Sequence, residues 1–290
     1  MITQGTGAVI NIILDPILIF GYFGMPRMGI AGAAVATVIG QIIAAIFALV
    51  FNLKCNRELN ISMKGFRPNG HLIVQIYKVG APSIVVQAIG SLMTYGMNLI
   101  LAAFGSAQTV FGIYFKLQSF VFMPVFGLNN GMVPIIAYNY GAGHKDRVIK
   151  TIKHSVAYGV GIMFVGLLAM HIFPAQLMRM FDAEESLIAI GAPALETISL
   201  SFVFAGFCIV AGSVFQALGN GVYSMIVSVA RQMCVLLPVA KLLSLSGEVT
   251  LIWWAFPIAE LASVLLTSYF LVRIYRKVIC HIGEPVVQDA

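Results

Sequence analysis

GIAGAAVATVIGQIIAAIFALVFNL, residues 29–53, is an apolar run without a single charged side chain. A helix needs about 20 apolar residues to cross a hydrocarbon core of roughly 30 Å, and this run is long enough to do so. Inside lipid such a segment is helical, because its backbone N–H and C=O groups have no water to bond to. The run therefore predicts a transmembrane helix.

Similar runs fill most of the chain. Hydrophobic residues make up 60% of it and charged residues only 10%, against about 25% charged in a typical soluble domain. We therefore predict an all-α polytopic membrane protein with about eight transmembrane helices. The apolar runs lie at about 2–23, 29–53, 79–104, 110–137, 152–173, 187–217, 222–244 and 250–275.

The basic residues predict the orientation of the chain. The net charge is +6, but the cations cluster in alternate connections between the runs, a pattern typical of cytoplasmic loops rather than of nucleic-acid binding. We therefore predict a multi-pass protein of the plasma membrane, with both termini in the cytoplasm and no nucleic-acid partner. The residues on the predicted cytoplasmic side are Lys54, Arg57, Lys64, Arg67, Lys78, Lys145, Arg147, Lys150, Lys153, Arg273, Arg276 and Lys277.

Catalytic and metal-binding patterns do not emerge from the sequence. The four cysteines are far apart and the five histidines are scattered. The zinc-protease pattern HExxH, the nucleophile pattern GxSxG and a phosphate-binding loop do not occur. We therefore expect no enzyme activity, no metal site and no cofactor.

The first apolar run carries the strongest candidate site, Asn11-Ile-Ile-Leu-Asp15-Pro16. Asn11 and Asp15 are four residues apart and share one helix face. Pro16 has no N–H to donate, so the carbonyl oxygen of Ile12 is left without its helical partner. Carboxylate, amide and carbonyl oxygens together suit a hard cation or a proton, and a charged residue inside a span is costly enough to indicate function.

A polar stripe marks the third run. Its residues follow each other at steps of three and four and so share one helix face. Such a stripe either lines an aqueous cavity or forms hydrogen bonds between helices, and the sequence leaves both open. The stripe consists of Ser83, Gln87, Ser91, Thr94 and Asn98.

Further ionisable residues fall inside predicted spans, among them Lys116, Glu196, Arg231, Lys241 and Glu260. Lys241 lies near a helix end, and we expect its ammonium to reach the interface. We interpret Arg231 as a structural charge that pairs with either Glu196 or Glu260, and Lys116 as a second cation that these acids can neutralise. Either acid can alternatively bind a cationic substrate.

Several motifs resemble the multidrug and toxic compound extrusion (MATE) family. They occur in the family's order and spacing over about residues 1–278. They are Asn11-xxx-Asp15-Pro16, Ile30-Ala-Gly-Ala-Ala to Gly40-Gln41, Pro134-Ile-Ile-Ala-Tyr-Asn139-Tyr-Gly-Ala-Gly143, Phe215-Gln-Ala-Leu-Gly219-Asn220, and Arg231-Gln232 to Pro238.

The resemblance implies a domain organisation. Family members have twelve helices in two six-helix lobes, and this chain is similar to helices five to twelve. It would contain the last two helices of an N-lobe (1–53), a cytoplasmic inter-lobe connection (54–78), a complete C-lobe of six helices (79–278) and a cytoplasmic tail (279–290). A non-transporting fragment of an efflux pump is therefore one expectation.

The resemblance also implies a function. It predicts secondary active efflux of amphipathic, cationic small molecules by a monomer, driven by Na⁺ or H⁺ antiport, with Asp15 and Asn11 as the cation-coupling residues. An alternative within the same superfamily is a flippase for lipid-linked oligosaccharides. The candidate residues for the substrate cavity are Gln41, Gln87, Ser91, Thr94, Asn98, Glu196 and Glu260.

The orientation can be tested by cysteine labelling in a variant without the four native cysteines. We expect Glu184→Cys to react with a membrane-impermeant maleimide added outside intact cells, because residues 174–186 should form an outer loop. Asn60→Cys should react only after the cells are permeabilised. The opposite labelling pattern would contradict the predicted orientation.

Overall fold

The computed structural model describes residues 2–55 and 69–282, and throughout these ranges the regular structure is helical. The prediction of an all-α membrane protein is confirmed. The main helices are α1 (Ile2–Phe20), α2 (Ile30–Cys55), α3 (Gly70–Leu101), α4 (Ala107–Gly141), α5 (Lys145–Ile172), α6 (Pro174–Arg179), α7 (Glu185–Ser199), α8 (Phe202–Ala217), α9 (Gly221–Val229), α10 (Leu237–Ser244), α11 (Val249–Ile252) and α12 (Ala255–Lys277).

The helices fall into two compact units, one before and one from Gly70. This boundary lies within the predicted connection 54–78, most of which is outside the described residues. Helix α3 begins at Gly70, so the end of the predicted connection already belongs to a helix. The tail prediction concerns mainly residues 283–290, which also lie outside the described part.

The number of membrane-crossing helices agrees with the sequence. In the described ranges, seven helices are long and apolar enough to cross a membrane. Helices α7 and α8 form an eighth span if they are taken together, although they meet at a bend of 48°. Ser199 and Ser201 at this bend donate hydrogen bonds to the carbonyl oxygens of Glu196 (2.9 Å) and Ile198 (2.6 Å), bonds that compete with regular helical pairing.

The first unit is a helical hairpin whose two helices touch at glycines. A Cβ placed on Gly32 would lie 2.5 Å from the carbonyl oxygen of Leu18, and one on Gly40 would lie 2.9 Å from the carbonyl oxygen of Gly7. Small residues let membrane helices approach until their backbones are in contact. Gly32 and Gly40 therefore fix how α1 packs against α2.

The second unit has a close-packed interior. Helix α5 lies against α4 and α8, and α12 lies against α8. Trp253, Tyr114, Phe111, Phe202 and Phe215 are the largest of its fully buried side chains. These rings fill the space between the helices and leave a well-defined scaffold for the polar groups inside.

One span of this unit departs from α-helical geometry. Residues Ala230–Leu236 form a π-helix between α9 and α10. A π-segment accommodates one additional residue in the helix, and such segments are frequent at functional sites. This one contains Arg231 and Gln232.

A matched pair of glycine substitutions tests the hairpin contact. We expect Gly32→Ala to destabilise the hairpin by about 1–3 kcal/mol, because the new methyl group overlaps a backbone carbonyl that cannot move away easily. Gly5→Ala is the control, since a Cβ at Gly5 meets nothing within 4 Å and alanine favours helix by up to about 1 kcal/mol. Thermal unfolding in detergent, followed by size-exclusion chromatography, measures both. Equal stability of the two variants would contradict the packing.

Candidate functional site

The first unit contains a polar cluster built on α1 and α2. The side-chain amide of Asn11 donates to Asp15 Oδ1 at 3.4 Å and to Thr37 Oγ1 at 3.3 Å. The Thr37 hydroxyl in turn donates to the carbonyl oxygen of Ala33 at 2.9 Å. Asn11 thus links a half-buried carboxylate on α1 to a hydroxyl on α2.

The backbone of α1 adds another oxygen to this cluster. Pro16 lies inside the helix, so the carbonyl oxygen of Ile12 cannot receive the usual hydrogen bond from residue 16. Asp15, Asn11 and Ile12 lie within about one helical turn. Together with Thr37 they supply carboxylate, amide, carbonyl and hydroxyl oxygens, the types of ligand that hard cations prefer.

Glycine brings the two helices close enough for this link. A Cβ on Gly40 would lie 3.3 Å from the Cβ of Asn11, so a larger residue would push Asn11 away from α2. Gln41 follows on α2, four residues after Thr37, and is exposed in the structure. It shares a helix face with Thr37, next to the cluster rather than inside it.

The second unit has a buried ion pair at its centre. Nη1 of Arg231 donates to both carboxylate oxygens of Glu260, at 3.2 and 3.1 Å. The Glu260 side chain is only 7% exposed and that of Arg231 27%. Of the two partners expected for Arg231, the structure therefore places Glu260 against it and not Glu196.

A small cavity of about 90 Å³ adjoins the ion pair. Tyr114 and Gln118 of α4, Ser201 at the α7–α8 bend and Gln232 of the π-helix line it together with the two charged residues. The π-helix holds Arg231 and Gln232, and α12 holds Glu260. This volume suits a few water molecules rather than a drug-sized compound.

Two residues of the polar stripe of α3 bond to the backbone of their own helix. Thr94 donates to the carbonyl oxygen of Gly90 (3.0 Å), and Asn98 donates to that of Thr94 (2.9 Å). Ser83, Gln87 and Ser91 are exposed on the second unit. The sequence left open whether the stripe lines a cavity or forms hydrogen bonds between helices. In the structure, the side chains of Thr94 and Asn98 form their hydrogen bonds within α3.

Lys116 and Glu196 lie apart from the ion pair. Lys116 is exposed, and its Nζ is 5.6 Å from the ring centroid of Phe181, a cation–π contact. Neither ion pair found in the described ranges includes Lys116, so in the structure the two acids are not its direct partners. Glu196 is half-buried on α7 and does not line the cavity beside Arg231.

Sequence reasoning missed some of the residues that complete these sites. Thr37 could have been predicted as a site residue, because it precedes the candidate Gln41 by one helical turn and shares its helix face. Tyr114 and Gln118 are four residues apart on one face of α4, but their position beside the ion pair depends on which helices are neighbours in space. The described residues contain no group of three or more His, Cys, Asp or Glu side chains that could hold a metal ion.

Comparison with known proteins shows similarity to a family of membrane transporters. The family described as MatE matches residues 82–242, more than half of the chain. The multidrug export protein MepA of Staphylococcus aureus (strain MSSA476) is 30% identical over 253 residues, which cover 87% of this chain and 54% of that protein. MepA of Staphylococcus haemolyticus is 28% identical over 278 residues, covering 96% and 60%.

Solved structures show the same similarity. The MATE multidrug transporter DinF-BH superposes with a TM-score of 0.82 at 33% identity, covering 94% of this chain and 60% of that one. A MOP superfamily transporter from Pyrococcus furiosus shares the fold, with a TM-score of 0.84 at 21% identity over 98% of this chain and 63% of that one. The chain spans little more than half the length of the curated relatives that it matches.

The ion pair can be tested by removing one charge and then both. We expect Glu260→Met to destabilise the second unit by about 3–5 kcal/mol, because it leaves a largely buried guanidinium without its counter-charge. The double variant Arg231→Met/Glu260→Met should recover most of this loss, since no uncompensated charge remains. Thermal unfolding of the purified variants measures the effect.

The surface pair Arg179–Glu185, with side chains 61% and 80% exposed, provides the control. Glu185→Met should cost less than about 1 kcal/mol, because water screens exposed pairs. Additive losses for Arg231→Met and Glu260→Met, without recovery in the double variant, would show that the two residues do not act as a pair.

Proposed function

We propose that this chain, which belongs to the multidrug and toxic compound extrusion (MATE) family, takes part in secondary active efflux of amphipathic, cationic small molecules. The driving force is antiport of Na⁺ or H⁺, and Asp15 is the coupling carboxylate. The Asn11–Asp15–Thr37 cluster is the observation that supports this proposal most directly.

The weakness of the Asn11–Asp15 bond suits a coupling role. At 3.4 Å it lies beyond the usual range for an N–H···O hydrogen bond, so an incoming proton or cation displaces it at little cost. A carboxylate that binds Na⁺ or accepts a proton then attracts the Asn11 amide less strongly. Asn11 keeps its other partner, Thr37 on α2.

Ion binding at Asp15 can thereby change how α1 packs against α2. The Asn11 amide either divides its hydrogen bonds between the two helices or directs them to α2 alone. A ligand shifts a conformational equilibrium only through different free energies of interaction with the two states. The two hydrogen-bond arrangements of Asn11 supply such a difference.

The exposed face of α3 supports an amphipathic substrate. Gln87 and Ser91 lie next to Leu92 and Tyr95, which are 55% and 64% exposed. This face mixes amide and hydroxyl groups with apolar surface and carries no formal charge, the composition common in small-molecule sites. We place Gln41, Thr94, Asn98 and Glu196 among the further candidates for substrate contact.

The charge distribution favours cationic substrates over phosphate-linked ones. Arg231, the most buried of the cations expected inside the spans, is neutralised by Glu260, and Lys116 contacts Phe181. Since Glu260 is already paired, Asp15 and Glu196 are, among the acids of the predicted spans that the structure describes, the two that remain available to a cation. A flippase for lipid-linked oligosaccharides needs cations for phosphate, and the pairing of Arg231 with Glu260 makes this alternative the weaker one.

The coupling role predicts the effect of Asp15→Asn. We expect this change to abolish gradient-driven efflux of ethidium, because it removes the charge that binds the ion with almost no change in volume. The assay uses cells that express the gene with its native flanking sequence, with the Na⁺ and H⁺ gradients collapsed separately. Expression should remain close to that of the unchanged protein.

Asp146→Asn is the matched control, because Asp146 undergoes the same chemical change in the first turn of α5 and is exposed there. It should leave efflux unchanged. Thr37→Val should reduce efflux only in part, since it removes the hydrogen bond to α2 but keeps the carboxylate. Efflux by Asp15→Asn with normal ion dependence would eliminate Asp15 as the coupling residue.

A further inference from the structure

A groove lies between α4 and α5 on the second unit, and neither Arg231 nor Glu260 lines it. Its volume is about 460 Å³, within the roughly 300–1,000 Å³ of small-molecule sites. Its lining includes Gly127, Gly131 and Ile135 of α4 and Lys150, Ser155 and Tyr158 of α5. We call this the α4–α5 groove.

Two glycines create the depth of the groove. A Cβ placed on Gly127 or on Gly131 would meet nothing within 4 Å, so neither glycine is needed for helix packing. Met132 and Ser155 are buried beneath, while Ile135 and Tyr158 are exposed at the sides. From residue 127 to residue 135 a helix rises about 12 Å, so the groove follows the direction of the spans over most of the depth of one leaflet.

The two ends of the groove differ in polarity. Tyr158 and Gly127 line the end that lies deeper along the spans, and Lys150 lines the other, near the start of α5 at Lys145. Lys150 is exposed, and neither ion pair found within residues 2–55 and 69–282 includes it. Among the described residues that line the groove, it is the one with a permanent formal charge.

The end of α5 near Lys150 is strongly basic. Lys145, Arg147, Lys150 and Lys153 lie within its first nine residues, against one acid, Asp146. Lys145 does not line the groove, and its Nζ donates a hydrogen bond to the carbonyl oxygen of Cys280 at 2.9 Å. Lys150 is thus the cation available to a ligand in the groove, on the side of the membrane that the basic residues predict to be cytoplasmic.

We propose that the α4–α5 groove binds an anionic phospholipid of the cytoplasmic leaflet. Lys150 binds the headgroup phosphate, and an acyl chain lies along Gly127, Gly131 and Ile135. Apolar lining along a span, a cation at headgroup depth and anionic lipid in that leaflet are complementary. The inference needs the membrane location of the second unit and the predicted orientation of its basic end, and it is independent of the proposed efflux.

A transported cation is the less suitable occupant. The positive charge of Lys150 repels it, and no acid is among the groove-lining residues that the structure describes. Zwitterionic phosphatidylcholine has the same acyl chains but carries a choline cation beside its phosphate. It should therefore occupy the groove more weakly than phosphatidylglycerol.

The test measures lipid retained by the purified chain in detergent. Phosphatidylglycerol and phosphatidylcholine are titrated separately, and bound lipid is counted by native mass spectrometry. We expect Lys150→Gln to weaken phosphatidylglycerol binding by about tenfold, the effect of losing one charge-assisted contact. Phosphatidylcholine binding should weaken much less, because the choline cation already offsets the charge of its phosphate. Gly131→Leu should abolish retention of both lipids, because the side chain fills the groove.

Two matched control variants distinguish a specific lipid site from general electrostatic attraction to the basic end of α5. Lys153→Gln removes a neighbouring charge of α5 that does not line the groove and should change lipid binding by less than about twofold, since no charge-assisted contact is lost. Gly161→Leu adds the same side chain on α5 at an open position outside the groove and should retain lipid. Thermal unfolding without added lipid confirms that each variant is folded.

Three outcomes would overturn the proposal. Equal losses in Lys150→Gln and Lys153→Gln would indicate diffuse electrostatic attraction to the basic end of α5. Unchanged phosphatidylglycerol binding by Gly131→Leu would show that the lipid lies elsewhere. Binding of ethidium that Gly131→Leu abolishes and that neither lipid displaces would identify the groove as a site for the cationic compound instead.

Discussion

The absence of water from the hydrocarbon core is the constraint on which this structure depends. Each backbone N–H and C=O group in a span must find its partner within the protein, and continuous helices achieve this most simply. The same constraint gives weight to every interruption. Where Pro16 removes a donor from α1, the carbonyl oxygen of Ile12 becomes available beside Asp15, and a structural defect becomes part of a polar cluster.

The two units treat their charges in opposite ways. In the second unit Glu260 is almost fully buried and bonded through both oxygens to Arg231, so its charge is compensated and its geometry fixed. Uncharged polar groups of this unit are also paired: the hydroxyls of Ser263 and Thr267 both donate to the buried sulfur of Cys208. Asp15 has a long hydrogen bond from a neutral amide. A carboxylate held so weakly can respond to an ion, whereas one held as firmly as Glu260 mainly stabilises its surroundings.

Local patterns in the sequence were sufficient for much of the fold. The apolar runs predicted the spans because crossing the membrane depends on composition over some twenty residues. The Asn11–Asp15 contact followed from four-residue spacing on one helix. The choice of Glu260 over Glu196 as the partner of Arg231 did not follow, because it depends on which helices are neighbours in space. The break between α7 and α8 was also missed, since hydropathy sums over Ser199 and Ser201 without registering the backbone bonds of their hydroxyls.

The π-helix at Ala230–Leu236 gives its span a property that a regular helix lacks. An α-helix turns by about 100° per residue, so one additional residue rotates everything beyond it by roughly that angle. Arg231 stands at the start of the π-segment and is anchored to Glu260, whereas α10 follows at its end. The π-segment therefore sets the rotational register of α10 relative to Arg231, and the faces that α10 presents to its neighbours differ by roughly 100° from those of an uninterrupted α-helix.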